Sequence, residues 1–235
     1  MNKKYDAVVI GAGPSGVFLA YELIQKNKHQ NILLIEQGKR VENRICPIEK
    51  KGECTKCKPL CNITCGFSGA GAFSDGKLSL YNKDDDEIHV GGILQEYIGV
   101  EETKKLIDYT DKIYLKFGAD KKLEGTEHKE EVKQIKEKAK KENITLIDIP
   151  IRHLGTEKSH ELYGKIEKYL IDNGVNILFE TAVEDLIIED GIIKGVKIRP
   201  SKNIESEDFT GSEEIYTDNV VLAVGRKGAN WLVQM

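Results

Sequence analysis

The sequence predicts an α/β fold in which a parallel sheet is interrupted by an antiparallel β-meander and an inserted helical lobe. Short apolar runs suit strands that are buried on both faces of a parallel sheet, and a glycine-rich turn separates the first such run from a helical pattern. A highly charged stretch with helical spacing lies in the middle of the chain. The 235 residues are 40% hydrophobic and 31% charged, which is ordinary globular composition.

The first elements form a predicted strand–helix–strand unit. An apolar run over residues 5–10 leads into the glycine-rich turn 11–16, and apolar residues then recur at helical spacing from Val17 to Ile24. A second apolar run follows over residues 31–36. This order and length are typical of a βαβ unit.

The turn has the pattern Gly11-x-Gly13-x-x-Gly16, and the second strand ends in Glu36. In this dinucleotide-binding fingerprint Gly11 permits the tight turn, Gly13 lets the backbone approach a pyrophosphate, and Gly16 lets the helix pack on the sheet. The carboxylate of Glu36 can accept hydrogen bonds from ribose hydroxyls and would repel a 2′-phosphate, which disfavours NADP at this site. The helix N-terminus offers N–H groups to phosphates. The predicted ligands in this unit are Gly11, Gly13, Pro14, Ser15, Gly16 and Glu36.

The composition changes twice in the middle of the chain. A segment rich in Cys, Gly, Pro and Ser, residues 40–82, predicts a long functional loop. Charged residues of nearly balanced sign then predominate, which predicts surface helices with ion pairs. We therefore divide the chain into residues 1–82, the first part of a nucleotide-binding domain with its Cys/Gly-rich loop, residues 83–145, a charged helical insertion, and residues 146–235, the second part of that domain.

Alternating elements return after the insertion. Residues 156–173 predict a helix, and Asp190-Gly191 between two apolar runs is a strong hairpin signal. A third antiparallel strand is predicted near residues 214–216, and a buried strand over residues 218–224 follows it.

This layout resembles that of the glutathione-reductase-like class of two-domain flavoproteins. Residues 221–225, Val-Leu-Ala-Val-Gly, resemble the alanine-threonine-glycine motif of that class, with Val224 in place of threonine. The resemblance implies a Rossmann-like FAD-binding domain, with Gly225 close to the flavin nucleotide and the backbone of Val183 at the adenine.

Further motifs resemble one family, the bacterial and archaeal "FAD-dependent dehydrogenase" family of NAD(P)/FAD-dependent oxidoreductases. They are Cys46-Pro47, the cysteine run from Cys54, the segment 66–78 and the segment 151–156. The wider class has a closing Gly-Asp motif, and none follows Gly225 here. We therefore expect a truncated chain, the N-terminal half of a flavoprotein, with the missing C-terminal half as its partner.

Two further groups of residues are candidates for cofactor contact or catalysis. Backbone N–H groups of a glycine-rich loop can face phosphate or the flavin edge, and a serine there can hydrogen-bond the cofactor. Lys77 can stabilise negative charge on a reduced flavin. Arg152 and His153 follow a predicted strand and are candidates for an anion binder and a proton donor, or alternatively for a surface pair and a structural hydrogen bond. The loop residues predicted to contact the cofactor are Gly69, Gly71, Ser74 and Gly76.

The cysteines allow three interpretations. Four thiols, those of Cys54, Cys57, Cys61 and Cys65, can converge on zinc or an iron–sulfur cluster, form a redox disulfide that passes electrons to the flavin, or remain buried and inert.

The predicted function is that of an FAD-dependent oxidoreductase that transfers a hydride or electrons through a bound flavin. A small molecule or an electron-transfer protein is the expected partner, and NAD(P)H is a candidate electron donor. The alternatives are an iron–sulfur flavoprotein for electron transfer and an inactive truncated fragment. A net charge of −4 and the lack of 18 consecutive apolar residues argue against nucleic-acid and membrane partners. No secretory leader precedes the first predicted strand, so we expect a cytoplasmic protein.

Overall fold

The computed structural model describes residues 4–73, 76–83, 88–203 and 212–234. The strands are β1 (Lys4–Tyr5), β2 (Ala7–Ile10), β3 (Ile32–Ile35), β4 (Lys77–Ser79), β5 (Ile151–His153), β6 (Asn176–Leu178), β7 (Thr181–Glu189), β8 (Ile192–Pro200), β9 (Glu213–Thr217) and β10 (Val220–Leu222). The helices are α1 (Pro14–Lys26), α2 (Ile48–Lys51), α3 (Leu94–Ile98), α4 (Val100–Lys116), α5 (Lys129–Lys141), α6 (Gly155–Asp172) and α7 (Ala229–Gln234). The predicted α/β class is confirmed.

A parallel sheet has the strand order β10-β2-β3-β6. Every residue of β3 is buried, as are Val8, Val9 and Ile10 of β2. These strands show no alternation of polar and apolar residues because a parallel sheet is covered on both faces. The two apolar runs of the predicted βαβ unit are therefore neighbouring parallel strands, as expected.

A second sheet contains the antiparallel meander β7-β8-β9, and β1 lies parallel to β9 at its edge. The turn between β7 and β8 places Asp190 at φ 51° and Gly191 at φ 76°. Both angles lie in the left-handed region that a two-residue type I′ turn requires, and Asp-Gly is a preferred pair for it. The predicted hairpin is confirmed.

One apolar cluster joins residues of both sheets. It contains Tyr5, Val8, Ile10, Leu33, Ile35, Val196 and Ile198, and Trp231 of α7 packs against it. The Trp231 indole N–H also donates a hydrogen bond to the carbonyl of Glu184, at 3.1 Å. Burying this apolar surface, at roughly 25 cal/mol per Å², holds the meander against the parallel sheet.

The chain divides into two units, Met1–Phe73 with Tyr163–Met235, and Ser74–Leu162. The second unit holds α3, α4, α5 and the antiparallel pair β4–β5. Helix α4 buries Thr103, Ile113 and Tyr114, whereas α5 buries none of its side chains, as predicted for a charged surface helix. Among the described residues, no helix is both long enough and apolar enough to cross a membrane.

Two local predictions are wrong. The strand predicted to be buried over residues 218–224 is β10, which lies at the edge of the parallel sheet with Val221 and Leu222 exposed.

Arg152 and His153 do not follow a strand but lie within one, because β5 begins at Ile151 and pairs with β4. The apolar run before them is not a strand, and Ile144 and Ile147 on it are exposed. The strand is set by its distant partner β4 rather than by local apolar content.

Candidate functional site

Two glycines of the fingerprint loop are required by close packing. Gly11 has φ +100°, and a Cβ there would lie 2.5 Å from the carbonyl oxygen of Ala223, just after β10. A Cβ on Gly16 would collide with the carbonyl oxygen of Gly11. These glycines therefore bring β2, α1 and the end of β10 into contact.

Gly13 is different, because it borders open space. It is the N-cap of α1 with φ −69°, and, apart from its chain neighbours, no atom of the described residues lies within 4 Å of the position a Cβ would take. No side chain in the described ranges caps the first turn of α1, and Pro14 and Ser15 in that turn are exposed. Uncapped N–H groups and the positive end of the helix dipole favour an anion at this opening.

The carboxylate of Glu36 is buried at the end of β3 and accepts three backbone hydrogen bonds. The donors are the N–H groups of Ala12 at 2.9 Å, Gly38 at 2.8 Å and Gly66 at 2.9 Å. A carboxylate offers about four acceptor positions, so about one is left for a ribose hydroxyl. Glu36 thus ties the fingerprint loop to the glycine-rich segment that begins at Gly66, a bracing role that the sequence did not predict.

The glycine-rich segment 66–72 lies beside the fingerprint loop. The N–H of Ser68 donates to the carbonyl oxygen of Ala12 at 2.6 Å, and a Cβ on Gly69 would lie 3.7 Å from the Cα of Gly13. This places Gly69 next to the opening, where backbone contact with a phosphate is predicted. The other predicted serine ligand, Ser74, lies outside the described residues.

Sequence reasoning missed Ser68. The residue is fully buried with φ 66°, and its hydroxyl has no hydrogen-bond partner among the described residues. A buried hydroxyl without a partner costs free energy, and such groups often mark a place where a ligand or water completes the site. The sequence signal that could have identified Ser68 is its position at the start of the glycine-rich run, between a phenylalanine and a glycine.

Arg44 is the second residue that the sequence did not reveal. Its buried guanidinium donates to the carbonyl oxygens of Asn62 at 2.9 Å, Ile63 at 2.7 Å and Phe67 at 2.6 Å. Burial lowers the pKa of Arg44 to about 10, while attraction to Glu36 and to two cysteines opposes this shift. Arg44 remains charged at neutral pH and fixes the chain before and at the start of the glycine-rich segment. A single arginine in a loop has no pattern that distinguishes it from a surface residue.

Gly225 and Val183 lie in the same unit as the fingerprint. Gly225 follows β10 with φ +59° and has open space where a Cβ would be. Val183 lies in β7 at a register shift of the meander and packs against the apolar cluster. Their contacts with a nucleotide stay predictions.

The three catalytic candidates lie in the second unit. Lys77 is paired with His153 across the β4–β5 ladder, whereas Arg152 is paired with Leu78. Cross-strand partners share a face and successive residues alternate, so Lys77 and His153 lie on one face and Arg152 on the other. A Cβ on Gly76, just before Lys77, would collide with the Ser159 hydroxyl.

Arg152 is engaged inside its own unit. Its buried guanidinium forms a two-pronged ion pair with Asp111, with Nη2 2.8 Å from Oδ2, and also donates to the carbonyl of Asp120. The imidazole Nδ1 of His153 lies 3.6 Å from a carboxylate oxygen of Glu124. Arg152 therefore stabilises this unit, and the catalytic roles of Lys77 and His153 stay predictions.

The cysteines are divided by the fold. Cys46, Cys54, Cys57 and Cys61 line one pocket of about 340 Å³, whereas Cys65 is buried outside it. No three of the described His, Cys, Asp and Glu side chains are arranged to hold a metal ion.

Known proteins share the fold of this chain. No family model matches it. Over 81 residues, 34% of the chain, it is 37% identical to an uncharacterized protein of Clostridium beijerinckii, of which this stretch is 15%. The structure resembles L-proline dehydrogenase from P. horikoshii, with a TM-score of 0.52 and 20% identity over 98% of this chain and 55% of that one.

Two further solved structures have a similar fold. The glycerol-3-phosphate dehydrogenase from Bacillus halodurans, solved in complex with FAD, has a TM-score of 0.51 and 17% identity over 99% of this chain and 36% of that one. Glycine oxidase from Bacillus cereus has a TM-score of 0.51 and 16% identity over 98% of this chain and 58% of that one. The similarity establishes the fold, and the chain spans less than two thirds of each of these proteins.

Proposed function

We propose that this chain carries the FAD-binding region of an FAD-dependent oxidoreductase. The observation that carries the proposal is the open space at Gly13, at the uncapped N-terminus of α1. The other two fingerprint glycines are packed against backbone, so the loop holds its shape without a ligand and leaves one side open. Such an opening suits a pyrophosphate, which the N–H groups and the helix dipole would bind.

Two features of the same unit and one comparison favour FAD over a nicotinamide dinucleotide. The antiparallel meander precedes the last parallel strand, as the resemblance to the glutathione-reductase-like class requires. The segment 66–72 supplies a second backbone surface beside the opening at Gly13. The buried hydroxyl of Ser68 in this segment has no hydrogen-bond partner among the described residues, so a cofactor can supply one. One of the structures with this fold was solved with FAD.

The residues of this chain would bind and orient the cofactor. The first turn of α1 would hold the pyrophosphate, Glu36 the adenosine ribose, and the backbone near Gly225 the flavin side. When bound, FAD supplies the transfer of a hydride or of electrons. We expect a small molecule or an electron-transfer protein as the substrate, NAD(P)H as a candidate donor, and membership of the "FAD-dependent dehydrogenase" family.

Competitive binding tests this proposal. The 235-residue chain is titrated with FAD, NAD and NADP, and binding is followed by calorimetry. We expect FAD to bind with the lowest Kd and NADP to bind with the highest, because Glu36 repels a 2′-phosphate. The proposal fails if NAD binds more tightly than FAD, or if none of the three binds to a chain that is folded by circular dichroism.

A further inference from the structure

The pocket lined by four cysteines lies in the same unit as the fingerprint but is a separate feature. Its walls include the thiols of Cys46, Cys54, Cys57 and Cys61, and Lys56 and Lys58 also line it. Cys54 is exposed and the other three thiol-bearing residues are half-buried, so a ligand can enter from solvent.

Hydrogen bonds hold two sides of this pocket together. The guanidinium of Arg44 binds the carbonyl oxygens of Asn62 and Ile63, which directly follow Cys61. The side chain of Asn62 also donates to the carbonyl oxygen of Ile45 at 2.8 Å, next to Cys46. The residues next to Cys46 and Cys61 are thus hydrogen-bonded to each other, although 15 positions separate the two cysteines in the sequence.

Cys65 has a different environment. It is 5% exposed, does not line the pocket, and has its sulfur 3.9 Å from the side-chain nitrogen of Gln37. In the sequence Cys65 is grouped with Cys54, Cys57 and Cys61. In the structure Cys46, and not Cys65, lines the pocket with those three.

The geometry and charge of the pocket indicate the class of ligand. In a zinc site every sulfur lies about 2.3 Å from one centre, and no three of the described side chains have a single-ion arrangement. In a 4Fe–4S cluster each of the four thiolates binds a different iron, so the sulfurs stand farther apart around a larger group. Each liquid water occupies about 30 Å³, so a pocket of about 340 Å³ has room for such a group.

Basic residues surround these thiols. Lys56 and Lys58 line the pocket, whereas the buried guanidinium of Arg44 attracts Cys65 as well as Cys61 and does not distinguish the pocket thiols. The two lysines would offset part of the negative charge that four thiolate ligands bring to a metal cluster.

We propose that Cys46, Cys54, Cys57 and Cys61 bind an iron–sulfur cluster. The four thiols each lose a proton and each ligate iron of the cluster. Binding at these thiols is independent of whether the opening at Gly13 holds FAD.

Replacement of each cysteine by alanine tests the ligand set, with Cys65→Ala as the matched control from the same segment. The 235-residue chain is reconstituted with iron and sulfide without oxygen, and iron and acid-labile sulfide are measured per chain. We expect the wild type and Cys65→Ala to contain the same amount of iron per chain, and each to contain as much acid-labile sulfide as iron. We expect at least a fivefold loss of iron, and loss of the electron paramagnetic resonance signal after reduction, in Cys46→Ala and Cys61→Ala.

A second measurement does not depend on the folding of the variants. The wild-type protein is alkylated with iodoacetamide before and after chelation of its iron, and each cysteine is quantified by mass spectrometry. Protection of the four pocket cysteines that is lost on chelation supports the proposal. A wild type without iron and sulfide, stoichiometric zinc instead of iron, full iron in Cys46→Ala, or an equal loss in Cys65→Ala would overturn it.

Discussion

Substitution of Gly13 by alanine separates ligand binding from folding. Most fingerprint glycines cannot serve this purpose, because a methyl group at Gly11 or Gly16 would strike backbone atoms. At Gly13 the φ angle of −69° is open to any L-residue, and within the described part of the chain only the sequence neighbours lie within 4 Å of the new methyl group. The methyl group would instead enter the space that we assign to the pyrophosphate.

The expected effect on stability is small. Alanine is a poorer N-cap than glycine, which costs about 1 kcal/mol or less. Alanine also restricts the unfolded chain more than glycine does, which raises the free energy of unfolding by about 0.4–1 kcal/mol where the native φ suits alanine. The two effects nearly cancel, so Tm should change by less than about 4 °C for a chain of this size.

The expected effect on FAD is large by comparison. Phosphate oxygens must approach backbone N–H groups to about 2.9 Å, and a methyl group on the loop keeps them away. We predict that Gly13→Ala raises the Kd for FAD at least about tenfold, equivalent to about 1.4 kcal/mol.

The matched control is Gly164→Ala. Gly164 lies inside helix α6, and a Cβ there would likewise have no described atom within 4 Å outside its chain neighbours and the backbone of its own helix. This change should stabilise the helix by about 0.5–1 kcal/mol and leave the Kd for FAD unchanged. Calorimetric titration and thermal unfolding of the wild type and both variants supply the measurements. Equal Kd values for FAD in the wild type and Gly13→Ala would refute the assigned pyrophosphate position.

Three predictions concern the buried polar groups. Glu36→Gln puts an amide donor opposite backbone N–H donors and should lower the free energy of unfolding by about 2–3 kcal/mol, measured in urea; a loss below about 0.5 kcal/mol would contradict the bracing role. Arg44→Met leaves three carbonyl oxygens without their donor and should cost about 3 kcal/mol, with only partial recovery in Arg44→Lys; equal stability of Arg44→Met and the wild type would be inconsistent with the observed contacts. Asp111→Asn leaves the buried guanidinium of Arg152 without its counter-charge and should cost about 3 kcal/mol; an unchanged urea midpoint would show that this ion pair does not stabilise its unit.

The local parts of the fold were predictable from the sequence. Strands β2 and β3 and helix α1 follow from continuous apolar runs and helical periodicity, which depend on neighbouring residues alone. The turn at Asp190 and Gly191 was predictable because few residue pairs accept two successive left-handed conformations.

The parts that depend on distant contacts were not predictable. Strand β5 has three residues and exists because it pairs with β4 more than 70 positions earlier. The burial of Arg44 and its three carbonyl partners leaves no trace in local periodicity. In the candidate site, the fingerprint could be identified from its spacing, whereas the bracing by Glu36 and the placement of Cys46 required the three-dimensional structure.

The visible absorption spectrum of the purified chain tests the central claim most directly. The protein is incubated with FAD, passed through a gel-filtration column to remove unbound cofactor, and its spectrum is recorded with that of Gly13→Ala treated identically. We predict flavin bands that elute with the wild-type chain and are strongly reduced for Gly13→Ala. A folded wild-type chain that elutes without flavin bands would contradict the account.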